Sequence, residues 1–128
     1  MNKILKLGLD VHGVCDTYPQ LFADLSKLFV NGGHEVHIIT GQEYSDEFAE
    51  QIRSFGIQFT HFFSVTDYHK ELGTEIWYNE KGRPYMDGHI WNRTKGEYCE
   101  KVGITLHIDD TLEYARHFKD TVYLLISN

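Results

Sequence analysis

The sequence predicts an α/β domain: a mainly parallel five-stranded sheet with helices on both faces and an inserted β-hairpin. Two observations carry that expectation. Short apolar runs of strand character alternate along most of the chain with segments whose apolar residues recur at helical spacing. Three of the strand-like runs then end in Asp or Thr, as expected where one edge of a parallel sheet gathers polar side chains.

Taken in order, residues 4–9 form an apolar run that ends at Asp10. Pro19 suits the first turn of a helix, Leu21, Phe22, Leu25, Leu28 and Phe29 share one face of it, and Asn31-Gly32-Gly33 stops it. Residues 35–39 are the second strand, closed by Thr40-Gly41. A second helix is expected over residues 43–54, with Glu43, Asp46 and Glu47 where the helix dipole favours acidic side chains and Gly56 beyond its end. Residues 59–63 read as the third strand. The rhythm breaks over residues 64–91, where segments 75–78 and 84–86 flank Asn79-Glu80-Lys81-Gly82-Arg83 as the arms of a hairpin, a flap beside the sheet edge. It then resumes with a helix over 92–102 stopped by Gly103, a strand over 104–108 ending at Asp109-Asp110, a short helix over 112–118 and a last strand over 122–126. No repeat, linker or low-complexity tract divides the sequence, so residues 1–128 are read as one domain with 64–91 as its insertion.

Composition narrows the function. Apolar residues make up 41% and charged residues 24%, which suits a packed core and not a disordered chain. No apolar run has the length of a membrane span, so no membrane partner is expected. Twelve basic against 19 acidic residues give a net charge of −7, which repels a phosphate backbone and argues against duplex nucleic acid as a partner. The two cysteines, Cys15 and Cys99, have no motif spacing and read as reduced thiols of a cytoplasmic protein. None of the eight histidines has a zinc-motif spacing with a cysteine, and His34 and His37 are expected at the surface or edge.

Chemistry is expected at the carboxyl ends of the strands. Parallel strands share that edge, so Asp10, Thr40 and the Asp109-Asp110 pair would converge although far apart in sequence. Carboxylate oxygens at two strand ends suit a hard cation such as Mg²⁺, which an anionic phosphate ligand also requires.

The segments LGLDVHGV (7–14), HIIT (37–40), a helix opening with Lys95, and LHIDD (106–110) together resemble the four motifs of the haloacid dehalogenase-like hydrolases, in order and across nearly the whole chain. That resemblance implies a Rossmann-like sheet and a Mg²⁺-dependent phosphatase. Asp10 is then the nucleophile that takes the phosphoryl group. The backbone carbonyl of His12, with Asp10, Asp109 and Asp110, holds the metal. Thr40 and the Gly41 amide bind phosphate oxygens, and Lys95 offsets charge at the nucleophile. With room between motifs for only a hairpin, the open site resembles that of family members acting on nucleotides, phosphorylated ends or macromolecules, and the acidic net charge makes a mononucleotide or another small phosphate ester the first choice.

Position 12 departs from the family pattern, which has Asp there as the general acid and base. His12 offers an imidazole for the same work. The departure motivates a second reading, a catalytically inactive or altered binding or regulatory protein on the same fold. A receiver module of a signalling system also uses Asp, Mg²⁺, Thr and Lys, but it carries its acidic pair early and its phosphoacceptor later, the reverse of the order here. Local roles compete too. Thr40, three residues before Glu43, has capping-box spacing; Asp109-Asp110 could cap the next helix; Lys70 or Lys81 could replace Lys95. Trp77, Tyr78, Tyr85 and Trp91 could pack the hairpin or meet the substrate.

Overall fold

The computed structural model describes residues 3–127. Five strands, β1 (Lys6–Leu9), β2 (Glu35–Thr40), β3 (His61–Ser64), β6 (Leu106–Asp109) and β7 (Val122–Leu125), form one sheet in the order β3-β2-β1-β6-β7. Every neighbouring pair in it is parallel. A separate antiparallel hairpin is made by β4 (Trp77–Tyr78) and β5 (Pro84–Tyr85). The helices are α1 (Pro19–Asn31), α2 (Asp46–Ser54), α3 (Val65–Leu72) and α4 (Gly88–Val102), with a 3₁₀ turn at Leu112–His117. This is the Rossmann-like architecture expected from the sequence.

Alternation along the strands gives the sheet two faces. Leu7, Leu9, Val36, Ile38 and Ile108 point to one face and pack with Phe22 and Ala23 of α1 and with Phe48 and Ile52 of α2. Ile39 points to the other face and packs with Cys99 of α4 and with Ile104. Register sets a lateral row across that second face: His61, His37, Gly8, His107 and Tyr123. At its centre a side chain on Gly8 would lie 2.8 Å from both His107 Nδ1 and Ile39 Cδ1. Glycine is therefore what lets the buried His107 ring lie flat over the central strand.

Several local expectations need correction. Leu21 and Leu28 of α1 are 57% and 70% exposed, so its buried face is narrower, centred on Phe22, Ala23 and Ser26. Thr40 does not cap α2; Ser45 does, its side chain accepting from the Phe48 amide, and the helix starts later than Glu43. The 3₁₀ turn follows Thr111, whose own side chain makes no cap bond and donates instead to Asp110 Oδ1 at 3.3 Å. Residues 64–91 hold more than a hairpin. Ser64 caps α3 by accepting from Asp67 N, and Gly73 ends it at φ +78°. The buried positions of α3 include Thr66 and His69, so its inner face does not read as apolar in the sequence. The helix carrying Lys95 begins at Gly88, where Asp87 accepts from the His89 and Ile90 amides, so Lys95 lies two turns inside it and not at its opening. His37 is 2% exposed, which overturns its assignment to the surface.

The hairpin lies at the carboxyl edge of the sheet. Tyr78 donates to Glu43 in the loop after β2 (3.4 Å), and Lys70 of α3 donates to the same carboxylate (3.1 Å). Asn79 closes the turn by accepting from the Lys81 and Arg83 amides. Trp77, Tyr78 and Tyr85 are each about half exposed, so the hairpin aromatics do not form a packed cluster of their own.

Gly8→Ala is expected to lower stability by about 1–3 kcal/mol, because the added methyl overpacks a fully enclosed site. Urea unfolding followed by circular dichroism measures this, and an unchanged midpoint would mean that the second face is loosely packed.

Candidate functional site

The strand order reverses direction beside β1: the chain proceeds outward to β2 and β3 on one side, then to β6 and β7 on the other. In open α/β sheets ligands bind at the carboxyl ends of the strands flanking such a reversal. The side chains found there are Asp10, directly after β1, and Asp109, the last residue of β6. The Asp10 amide donates to Ile108 O at 3.1 Å, so the two strand ends are stitched together by backbone.

Lys95 joins the two carboxylates. Its Nζ donates to Asp10 Oδ1 at 3.1 Å and to Asp109 Oδ2 at 2.9 Å. Positions 91, 94, 95, 98, 99 and 102 of α4 form the stripe that faces the sheet, so a lysine at 95 points inward among apolar neighbours. Its side chain is 5% exposed, those of Asp10 and Asp109 11% and 0%. Tyr114 covers the ammonium with its ring, 5.1 Å away, and accepts a hydrogen bond from the Trp91 indole at 2.8 Å. Trp91 in turn lies against Gly41, where any side chain would approach the indole to 2.6 Å. Lys70, bound to Glu43, and Lys81, in the hairpin turn, are not at the site.

Asp109 has a second buried partner, His107, whose Nε2 donates to Oδ2 at 2.8 Å. Burial holds this imidazole below its ordinary pKa, so it stays neutral and acts as a fixed donor. The Asp110 amide donates to the other oxygen, Oδ1, at 2.8 Å. Burial works against the charge on Asp109, yet the N–H of His107 and the ammonium of Lys95 outweigh it, and its carboxyl lies below the usual carboxylate range. Asp10 goes the other way. Desolvation raises it to about 7, Lys95 opposes that rise, and the charge on Asp109 adds to it. Lys95, although burial disfavours its charge, is held protonated by the two carboxylates.

One lysine thus faces two carboxylates in a dry site, with Asp110 beside them. Ligand oxygens of Asp10, Asp109 and Asp110 lie within 4.8 Å of one another. An all-oxygen donor set carrying excess negative charge, part of it expressed as the raised pKa of Asp10, fits a hard divalent cation such as Mg²⁺. Each carboxylate oxygen offers more than one acceptor direction, so the bonds from Lys95, His107 and the Asp110 amide leave room for a cation.

The other expected residues lie at or just after the end of β2 and in the loop after β1. Thr40 ends β2 and is 1% exposed, its Oγ1 accepting from the Gln42 amide at 3.3 Å. The Gly41 carbonyl accepts from Thr66 of α3 at 2.7 Å, which ties that loop to the helix missed in the sequence. His12 lies in a wide turn, Val11–Cys15, whose Gly13 has φ +83°. Its ring bridges Asp16 Oδ2 (3.1 Å) and Gln42 Oε1 (2.7 Å), linking the loops after β1 and β2. Its side chain is 61% exposed. Burial lowers its pKa, but the hydrogen bonds its ring donates to Gln42 and Asp16 and the charge of Asp16 outweigh that, leaving it above the ordinary histidine value. Cys15 is buried with its thiol pushed well up, so it is no nucleophile.

The sequence reading passes over His107 and Tyr114, and it assigns Trp91 to the hairpin or the substrate, whereas the indole packs on Gly41 and donates to Tyr114. His107 had a legible signal, since it lies two residues before Asp109 and so shares its face of the strand. Trp91 lies one turn before Lys95 on the same stripe of α4. Nothing in the sequence singles out Tyr114. The chain matches no family model, no curated protein and no solved structure.

In the cation-free protein Asp10→Asn should raise stability at pH 8 and have little effect near pH 4. The folded pKa of Asp10 is raised above its unfolded value of about 4, so its contribution is full below that value and is lost as pH rises through about 7. Thermal melts in EDTA at the two pH values read this as a gain of a few degrees at pH 8 only. An equal effect at both would refute the raised pKa.

Proposed function

We propose that this chain is a Mg²⁺-dependent phosphatase of the haloacid dehalogenase-like kind, acting on a small phosphate ester in the reducing cytoplasm. The observation that carries the reading is the buried Lys95 bridging Asp10 and Asp109 at adjacent strand ends. The buried free thiols Cys15 and Cys99 accord with a reducing compartment.

Asp10 is the nucleophile in this reading. Lys95 occupies Oδ1, so Oδ2 attacks phosphorus. The bond to the ester oxygen breaks, that oxygen takes a proton from His12, and an aspartyl-phosphate forms on Asp10. Water then attacks phosphorus, His12 takes the proton, and the phosphorus–Asp10 bond breaks to release phosphate. Lys95 offsets charge on the nucleophile, and the Gly41 amide and Thr40 orient phosphate oxygens. Bound Mg²⁺, held by Asp10, Asp109, Asp110 and the His12 carbonyl, supplies the charge neutralisation that lets an anionic ester approach an anionic nucleophile. The 11% exposure of the Asp10 side chain suits a terminal phosphoryl group, which is slim, over the interior phosphate of a polymer. A mononucleotide is the first choice, with the half-exposed Trp77, Tyr78 and Tyr85 of the flap available for stacking.

The second reading is a binding or regulatory protein without turnover. It draws on the His12 ring, which is engaged with Asp16 and Gln42 and stands where the family has a carboxylic acid.

Hydrolysis of p-nitrophenyl phosphate with and without Mg²⁺ is the test. The parent should turn over with Mg²⁺ only, Asp10→Asn should be inactive, and Asp109→Asn should need more Mg²⁺. His12→Ala should lose roughly 10²–10⁴-fold in rate if the imidazole transfers protons, and His12→Asp should raise turnover. Parent and His12→Asp both inert across a panel of phosphate esters would overturn the enzyme reading in favour of the binding protein.

Replacing residues 75–86 by a short glycine linker should leave the main sheet folded and change the ranking of substrates. An unchanged ranking would remove the flap from substrate recognition.

A further inference from the structure

At the end of β2 opposite Thr40, three side chains unconnected with Asp10 come together: Glu35 and His37 of β2 and His61 of β3. One ligand atom from each lies within 4.8 Å of the others. The backbone dictates this. Residues 35 and 37 are two apart on a strand and share a face, and the register pairs His37 with His61 on the adjacent strand, about 4.8 Å away.

We propose that Glu35, His37 and His61 form a zinc-binding site that ties the edge strand β3 to β2. The site is independent of the phosphatase reading.

The donor set is two imidazole nitrogens and one carboxylate oxygen, the borderline combination that Zn²⁺ takes with water in a fourth, tetrahedral position. His37 is built for the role. It is 2% exposed, and the Tyr98 hydroxyl holds its Nδ1 at 2.7 Å, which orients the ring and directs Nε2 at Glu35 Oε1, 2.8 Å away. A hydrogen-bond partner on the far nitrogen is the usual support of a ligating histidine. On metal binding the ring proton moves to Nδ1 and is donated to the Tyr98 oxygen, so no proton need be lost. His61 is half exposed, with its ring stacked on His37 at 4.2 Å and Nδ1 at 2.8 Å from the Thr60 hydroxyl. Nitrogen lone pairs lie in the ring plane, so two stacked rings cannot both face one ion. His61 has to turn out of the stack, and its exposure leaves it room to do so.

One group opposes the ion. Lys6 Nζ is 3.9 Å from Glu35 Oε1 and is anchored on the Val102 carbonyl at 2.7 Å. Its charge weakens the site, and its removal should strengthen it. Mg²⁺ prefers the all-oxygen cluster at Asp10 and competes poorly here.

The test titrates the full chain with Co²⁺, a spectroscopic substitute for Zn²⁺, then displaces it with Zn²⁺. The proposal expects one equivalent with the intense visible absorption of a tetrahedral ion, lost on adding Zn²⁺. His61→Ala, at an exposed position that tolerates change, should weaken binding by roughly tenfold or more, a loss even outer partners of a metal produce. Lys6→Gln should tighten binding, and Asp10→Asn should leave it unchanged. Zn²⁺ should raise the melting temperature of the parent but not of His61→Ala. Absence of the visible band, parental affinity in His61→Ala, or loss of the band in Asp10→Asn would each overturn the site.

Discussion

The whole upper edge of this molecule depends on one buried ammonium. Asp10 and Asp109 end adjacent strands and are removed from water, where two like charges would drive the strand ends apart or force protonation. Lys95 resolves the conflict for Asp109 completely and for Asp10 only in part, and His107 supplies the neutral donor that secures the division. Such clusters add little net stability over apolar packing, because desolvation of the ions offsets their attraction. Their worth is directional: α4 must cross the sheet where Lys95 reaches both carboxylates.

The surroundings follow from that placement. Trp91, one turn before Lys95, is laid over Gly41, and Tyr114 closes over the ammonium from the turn after β6. Gly8 is bare so that His107 can stand behind Asp109. The polar residues with chemistry to offer are thereby packed as tightly as the apolar core. The result is a site with little solvent exposure at the edge of a sheet whose face towards α1 and α2 is built largely from Leu, Ile and Val.

Much of the fold was legible in the sequence, because strand runs and helix stops declare themselves locally. Asp10, Thr40 and Asp109 were legible because they close strands. What escaped was whatever the alternation of apolar and polar residues conceals. The inner face of α3 is Val65, Thr66 and His69, of which Thr66 and His69 are satisfied by hydrogen bonds and only Val65 offers an apolar side chain. His37 was misplaced at the surface because its polarity is answered by Tyr98, 61 residues away. The start of α4 was set too late because its cap, Asp87, precedes a glycine, which is a poor helix former. Local patterns report local physics, and these features are long-range or polar.

The central position of β1 has a bearing on the order in which the protein can form. Its partner on one side, β2, follows after a single helix, whereas its partner on the other side, β6, lies about a hundred residues further along. Twelve of the thirteen fully buried members of the main core cluster fall between Leu7 and Ile57, and Ile108 is the exception. On a ribosome, the first half of the sheet could therefore collapse on α1 and α2 while the rest is still being made. Asp10 would then wait at an unfinished edge, solvated and chemically ordinary. Only the arrival of α4 and β6 strips it of water, so the synthesis of the last third of the chain is also the event that gives Asp10 its unusual environment.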